Sequence, residues 1–314
     1  MAKVSVIIPV YGVEKYIERC ARNLFEQTLD DIEYLFIDDC TQDASIEILK
    51  RVLDEYPNRT QQVRIHRMAK NSGQAEVRKW GMQNATGEYI IHCDSDDWNE
   101  LEQYEKMYRV AVMENADLVY CDFNRIIDGV PTIIRNNCIH DSKYEMIGSM
   151  LGGNSTPNNL WACLVKRNLL KNLIYPEGNQ GEDKVIMIQL VYNSNKVSYV
   201  SEPLYNYVLN TNSITNSISV ESLLKRSDGI KSNCDQIIRF LEEKGICQNY
   251  KSQIEEYKMR PKVILWPQRK NIKIRKQWDS LYPELSHRVL FNRFICSKNK
   301  IIFLIFEWGL WRLI

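Results

Sequence analysis

Asp94, Asp96 and Asp97 stand within a single four-residue stretch, Asp94-Ser95-Asp96-Asp97, directly after the apolar run Glu88–Cys93. Carboxylates held this close repel one another unless a cation or hydrogen-bond donors compensate them. A hard divalent cation meets that need through oxygen ligands and keeps its other positions for water or phosphate oxygens. A second acidic pair, Asp38-Asp39, ends the run Glu33–Ile37. The first apolar run ends in Pro9-Val10-Tyr11, which offers backbone groups and an aromatic face. A third pair, Glu182-Asp183, follows the turn-rich stretch Tyr175-Pro176-Glu177-Gly178-Asn179-Gln180-Gly181 and opens the apolar stretch Val185–Tyr192. Carboxylates there either take a proton from a hydroxyl as general base or serve only the positive end of a helix.

Residues so far apart act together only if the chain folds their neighbourhoods onto one edge. Val4–Val10 is continuous, apolar and β-branched, the pattern of a strand buried on both faces, and Pro9 and Gly12 mark its end. Val13, Ile17, Cys20, Ala21, Leu24, Phe25 and Thr28 then share one face of a helix expected over 13–28. Glu33–Ile37 reads as a second strand. Asp43 is placed to cap a helix with apolar face Ile46, Leu49, Val52 and Leu53, closed by Pro57. A strand at Val63–His66, a helix over 74–84, a break at Gly87 and the strand Glu88–Cys93 complete the series. The βαβαβαβ order predicts an α/β fold with a mostly parallel central sheet covered by helices. Ligands in such sheets gather at the carboxyl ends of the strands, where Pro9-Val10-Tyr11, Asp38-Asp39 and the Asp94–Asp97 turn all stand.

Three stretches together resemble glycosyltransferase family 2, a group of inverting enzymes with the GT-A fold. They are Val4-Ser5-Val6-Ile7-Ile8-Pro9-Val10-Tyr11, Phe36-Ile37-Asp38-Asp39 and Ala85-Thr86-Gly87-Glu88-Tyr89-Ile90-Ile91-His92-Cys93-Asp94-Ser95-Asp96-Asp97. Order and spacing match the family over about residues 1–125. A weaker match continues through Trp161, Glu182-Asp183 and Tyr205-Asn206-Tyr207. The resemblance implies a GT-A catalytic domain over 1–220, with a nucleotide-sugar half at 1–125 and an acceptor half at 126–220. A helical, basic extension at 221–314 would follow.

The implied reaction is transfer, with inversion, of a sugar from a nucleotide-diphosphate sugar, expected to be a UDP-sugar, to a hydroxyl. The acceptor would be a glycan or lipid-linked saccharide in polysaccharide synthesis. By resemblance Asp96 is the ligand of a divalent cation, Mn²⁺ or Mg²⁺. Asp94 faces the ribose or shares the ion through water, and Asp97 supports the turn. Asp39 accepts the imide N–H of a uracil, and Pro9, Val10, Tyr11 and Ser95 complete the donor pocket. Glu14 is either a ligand contact or a charge at a helix start. Arg78, after Asn71-Ser72-Gly73, is either a nucleotide contact or a surface ion pair. On the acceptor side Trp161 lines the site, Asp183 is the general base and Glu182 stands beside it.

Three positions depart from the family's habit. Lys79 follows Arg78 where Asn is usual, and Val208 stands where Arg is frequent ahead of Asn212-Ser213-Ile214-Thr215. Cys163 replaces a common Lys, so the basic contact either comes from Lys166 or is absent. A nucleotidyltransferase is the competing enzyme class, but it favours a Gly-rich basic loop after the first strand, and Val10-Tyr11-Gly12-Val13-Glu14 is neither Gly-rich nor basic. A non-catalytic nucleotide-sugar-binding module with the same fold is the remaining alternative.

With 44% hydrophobic and 26% charged residues the 314-residue chain has an ordinary globular composition. Its charge is unevenly spread. Residues 251–314 hold 14 Lys and Arg against 5 Asp and Glu, so a +9 tail follows a body of net −8. No nucleic-acid-binding motif accompanies this basic region, which makes nucleic acid an unexpected partner. The segment 297–314 carries Phe303, Phe306, Trp308 and Trp311 beside Lys298 and Lys300. It is too short to span a bilayer and suits an interfacial helix, or one folded back on the protein. Nine cysteines at irregular spacing, with no C-x-x-C pair and no signal-peptide pattern, predict reduced thiols in a cytoplasmic protein, and an interfacial tail would bring it to the inner face of the membrane.

Overall fold

The computed structural model describes residues 2–136, 142–152, 158–209, 217–285 and 288–309. The chain forms two compact units. The first comprises Met1–Lys143, Pro157–Tyr175 and Gln189–Asn210, and the second Tyr144–Thr156, Pro176–Ile188 and Thr211–Ile314. The stretch 1–220 therefore contributes to both.

In the first unit β1 (Val4–Val10), β2 (Ile32–Asp38), β3 (Val63–Arg67) and β4 (Tyr89–His92) alternate with α1 (Ile17–Phe25), α2 (Ser45–Asp54) and α3 (Gln74–Asn84). β1 lies between β2 and β4, and β3 pairs with β2, all parallel. Val4, Val6, Ile7, Ile8 and Val10 are wholly buried, and each such side chain contributes about 1.5–3 kcal/mol by leaving water. α1 starts at Ile17, later than its apolar face suggests. The N–H groups of Gly12, Val13 and Glu14 are bound instead by Thr41 Oγ1, Ser45 Oγ and Asp43 Oδ2, so this stretch is a loop moored to the start of α2. Asp43 Oδ1 also accepts Ser45 N–H at 3.2 Å, but the N-cap of α2 falls on Ala44, one residue after the cap expected at Asp43.

Parallel pairing in this half follows from its helical crossovers. Beyond them antiparallel strands join the same sheet, whose parallel part is the one the order of elements predicts. The remaining strands are β5 (Trp98–Asn99), β6 (Leu118–Ile127), β7 (Val130–Ile134), β8 (Cys163–Lys166) and β9 (Val197–Val208), with α4 (Gln103–Glu114) between β5 and β6. The order is β3-β2-β1-β4-β8-β6-β9-β5, with β7 paired to β6. β8 runs antiparallel to both β4 and β6. β6 and β7 form a hairpin closed by Asp128-Gly129, a dipeptide that suits a two-residue turn.

The second unit is helical: α5 (Lys143–Leu151) from its second residue, the first half of α6 (Glu182–Asn193), α7 (Val220–Glu243), α8 (Lys251–Val263), α9 (Ile272–Ser280), α10 (Arg288–Phe291) and α11 (Ser297–Glu307). α7 begins at Ser219, whose Oγ accepts Ser222 N–H. α11 turns its apolar face inward. Ile302, Phe303, Ile305 and Phe306 are buried, and the Phe306 ring stacks on Trp278 with centroids 3.9 Å apart and planes 7° from parallel. The aromatic face expected to lie in a membrane interface is thus used within this unit, while Ile301 and Trp308 remain exposed. Trp311 and Arg312, at the end of that expected helix, and Asn212–Thr215 lie outside the described residues. Among the described residues no helix is long and apolar enough to cross a membrane, and the described cysteines are all free thiols.

Candidate active site

The strand ends of the first unit are bonded to one another, and this draws the acidic residues together. Asp39 N–H donates to Val10 O at 3.0 Å, Cys93 N–H to Ile7 O at 3.0 Å, and Ser95 Oγ to Pro9 O at 2.6 Å. Gly87, just ahead of β4, presses against β1: a Cβ there would stand 2.6 Å from Ser5 N and 2.7 Å from Ser5 Oγ. The Ala85-Thr86-Gly87 step therefore sets where β4 enters the sheet and where its acidic end comes out.

Each aspartate has a distinct duty. Asp38 is buried, accepts Thr41 N–H at 2.7 Å and pairs with Arg67 at 2.6 Å, so it faces the adjoining structure. Asp39 accepts Ser72 N–H at 2.7 Å on Oδ1 and Gly73 N–H at 2.8 Å on Oδ2. It thereby holds the loop that leads into α3, and each oxygen keeps a second lone pair. Asp94 Oδ1 accepts Arg78 Nη2 at 2.8 Å and Gln74 Nε2 at 3.3 Å. Arg78 is buried, so its pair with Asp94 is internal and not a surface ion pair. Asp97 is buried, with Oδ1 accepting Val208 N–H at 2.8 Å and Oδ2 accepting the Tyr205 hydroxyl at 2.8 Å. Burial, then the charges of Asp96 and Asp94, push its pKa well above the usual carboxylate range against those two bonds.

Tyr205 unites the turn. Its hydroxyl accepts Asp94 N–H at 3.1 Å while donating to Asp97, and its ring stacks on Trp161 at 4.3 Å and 16°. Trp161, expected to line the acceptor side, is buried between Tyr205, Tyr207 and Phe123 and supports the acidic turn from beneath. Sequence reasoning assigned no role to the Tyr205 hydroxyl, although the Tyr205-Asn206-Tyr207 run was visible. His92 was also missed. It is wholly buried with neither ring nitrogen hydrogen-bonded, and burial together with the Arg78 charge holds it neutral.

Other expected residues sit as follows. Tyr11 is half exposed at the rim. Glu14 Oε2 accepts Ala44 N–H at 3.3 Å at the start of α2, not at the start of the first helix, for which its charge was considered. Lys166 lies opposite Tyr89, at the far end of β4, where it bonds Asn115 Oδ1 at 3.2 Å. It therefore cannot supply the basic contact left open at Cys163, which is itself buried. Glu182 and Asp183 open α6 in the second unit, Glu182 buried and Asp183 partly so. Next to them Lys184 is buried; its Nζ donates to Met150 O at 2.7 Å and lies 4.6 Å from the Tyr257 ring centroid. Burial lowers its pKa to about 7.

Among the described residues no three His, Cys, Asp or Glu side chains form a metal cage. The residues present do fit a hard cation that keeps waters and phosphate oxygens. Asp94 is about one-fifth exposed and Asp96 partly exposed, whereas Asp97 is committed to Tyr205 and Val208. Such an ion is typically held by one or two carboxylates together with substrate phosphates.

The chain is 30% identical over 262 residues to the cholesterol galactosyltransferase of Borreliella burgdorferi, covering 76% of this chain and 71% of that protein. It is 29% identical over 223 residues to glycosyltransferase GlyA of Streptococcus pneumoniae, covering 68% of this chain and 31% of GlyA. It thus spans less than a third of GlyA. Among solved structures, S. aureus TarS residues 1–349 with UDP-GlcNAc superimposes with TM-score 0.59 at 17% identity, covering 91% of this chain and 93% of that one. Mannosyltransferase PcManGT of Pyrobaculum calidifontis with GDP-Man and Mn²⁺ gives TM-score 0.55 at 15% identity, covering 76% of this chain and 64% of that one. At these identities the two structures speak for the fold, which is of GT-A type. The sequence pattern of glycosyl transferase family 2 matches residues 5–174, more than half the chain, and this protein belongs to that family.

Proposed function

We propose that the chain is an inverting transferase that moves a sugar from a UDP-sugar to a hydroxyl of a glycan or lipid-linked saccharide during polysaccharide synthesis, at the cytoplasmic face of the membrane. The observation that carries the reading is the joining of three strand ends by hydrogen bonds, so that Asp39, Asp94, Ser95 and Arg78 share one edge with Pro9, Val10 and Tyr11. Asp39 takes the uracil imide N–H on a remaining lone pair, Tyr11 covers the base, and Arg78 holds Asp94 toward the ribose. Asp96 would hold a divalent cation, with Asp94 beside it, and the ion would supply charge compensation for the departing diphosphate. Asp183, with Glu182 beside it, removes the acceptor proton. The acceptor oxygen bonds to the anomeric carbon as the bond to the diphosphate oxygen on the opposite face breaks.

Calorimetry with UDP tests the donor half. Binding should need Mn²⁺ or Mg²⁺, and Asp96→Ala should weaken it at least tenfold, about 1.4 kcal/mol. Equal affinity in chelator removes the cation from this reading. Asp183→Asn should lower turnover on the order of a hundredfold or more with UDP affinity near wild type. Near-normal turnover would move the base elsewhere, with Glu182 next.

A further inference from the structure

The stretch leading into Glu182-Asp183 is irregular. Residues 176–181 contain two glycines and no helix or strand, so their backbone polar groups need partners from elsewhere. Helix α7 supplies them from one face. Gly229, Ser232, Asn233 and Gln236 recur at i, i+3, i+4 and i+7, the spacing of one side of a helix, and all four meet this stretch. Asn233, wholly buried, accepts Gly178 N–H at 3.4 Å on Oδ1. Through Nδ2 it donates to Gly178 O at 3.0 Å and Gln180 O at 2.8 Å. Gln236 Oε1 accepts Glu177 N–H at 3.3 Å, and Ser232 Oγ donates to Glu177 Oε2 at 2.9 Å. Backbone meets backbone where the two glycines face each other: a Cβ on Gly178 would stand 3.1 Å from Gly229 Cα and 3.2 Å from its carbonyl oxygen. On the other flank Lys184 ties the first turn of α6 to Met150 O.

We propose that Asn233 is a positioning residue for the reaction, and that α7, which lies beyond the family-matched residues 5–174, serves the catalytic base. An amide suits the place because it presents an acceptor and two donors side by side, and three of its four hydrogen-bonding positions are used here. A carboxylate would keep the bond from Gly178 N–H but set its charge against the carbonyls of Gly178 and Gln180. An alanine would strip those partly buried groups of this partner. The inference rests on the reading of Asp183 as the base.

The test uses the full chain and release of UDP from UDP-glucose, UDP-galactose or UDP-N-acetylglucosamine, whichever the wild type turns over fastest. Asn233→Asp is expected to keep UDP affinity within twofold of wild type and lower kcat at least tenfold at pH 8. The deficit relative to wild type should shrink as pH falls toward 5.5, because protonating the introduced carboxyl restores one donor. Amide hydrogen exchange across 176–184 should accelerate at least tenfold at pH 8 and recover in parallel. Unchanged kcat at pH 8, or a deficit that ignores pH, overturns the inference, as does an equal loss of UDP affinity. If Asn233→Asp does not fold, Gly178→Ala replaces it under the same criteria for kcat, affinity and exchange at pH 8. Asp183→Asn, run alongside, separates the two failures: normal turnover there rejects the base and leaves the clamp to be judged by exchange alone. A wild type that releases no UDP from any donor counts against the transfer reading itself, and exchange again decides whether Asn233 holds the loop.

Discussion

At the scale of single residues the site depends on polar groups that bond to one another before any ligand arrives. Tyr205 is the clearest case, because one hydroxyl serves the backbone of Asp94 and the carboxylate of Asp97. Tyr205→Phe would leave the ring on Trp161 but strip a donor from a buried carboxylate and an acceptor from an N–H. The expected cost is about 1–3 kcal/mol in urea unfolding, with several-fold weaker UDP binding because the Asp94–Asp97 turn loses its tether. Stability within about 0.5 kcal/mol of wild type together with unchanged affinity would deny Tyr205 that role. Sequence alone found the aspartates because their types and order are informative. It could not find the tie between them, since Tyr205 lies 111 positions from Asp94 along the chain and only folding makes them neighbours.

At the scale of elements, legibility followed the strength of local signals. β1 and β2 were plain because nearly every residue is apolar and buried. The later strands were not, for physical reasons. β6 carries Asp122 and Asn124, β8 is four residues long after a short turn, and the β6–β9 pairing shifts register near Asp122. Val13 and Glu14 looked helical only because nothing local reveals that Ser45 and Asp43 bind their N–H groups. Buried polar anchors were equally hidden, and Lys184 yields a prediction at this scale. In the fold, against Arg260, Glu256, Tyr257 and Cys234, its amine loses its proton near pH 7, against an ordinary value of 10.5. Between those values the unfolded chain binds the extra proton, so stability rises with pH across this window and is lost as pH falls through it. Lys184→Met should flatten the rise by up to about 1.4 kcal/mol per pH unit in denaturant titrations between pH 7 and 9. Lys262, lowered to about 8, leaves a residual slope above that value. A variant with the wild-type slope would show that Lys184 stays charged.

At the scale of the whole molecule the question is what the basic end of the chain does once its aromatic face is accounted for. Phe303 and Phe306 pack on Trp278, and truncating a buried Phe commonly costs about 3–5 kcal/mol. Deleting 297–314 is therefore expected to unfold the C-terminal unit, and it cannot serve as a clean test of membrane contact. Point changes can. Lys270, Lys273, Lys276 and Lys298 are exposed, in a region of net charge +9, and the exposed apolar residues there include Phe291, Ile301 and Trp308. That surface suits electrostatic attraction to an anionic leaflet more than deep insertion. The full chain should sediment with vesicles containing phosphatidylglycerol and not with pure phosphatidylcholine. Binding should fall steeply as salt approaches about 1 M, where the screening length is about 3 Å. Lys273→Glu with Lys276→Glu should weaken it at least tenfold at low salt while leaving UDP binding in place. Binding that survives 1 M salt would show that Trp308 and its neighbours insert after all, and equal binding to neutral vesicles would remove charge from the account.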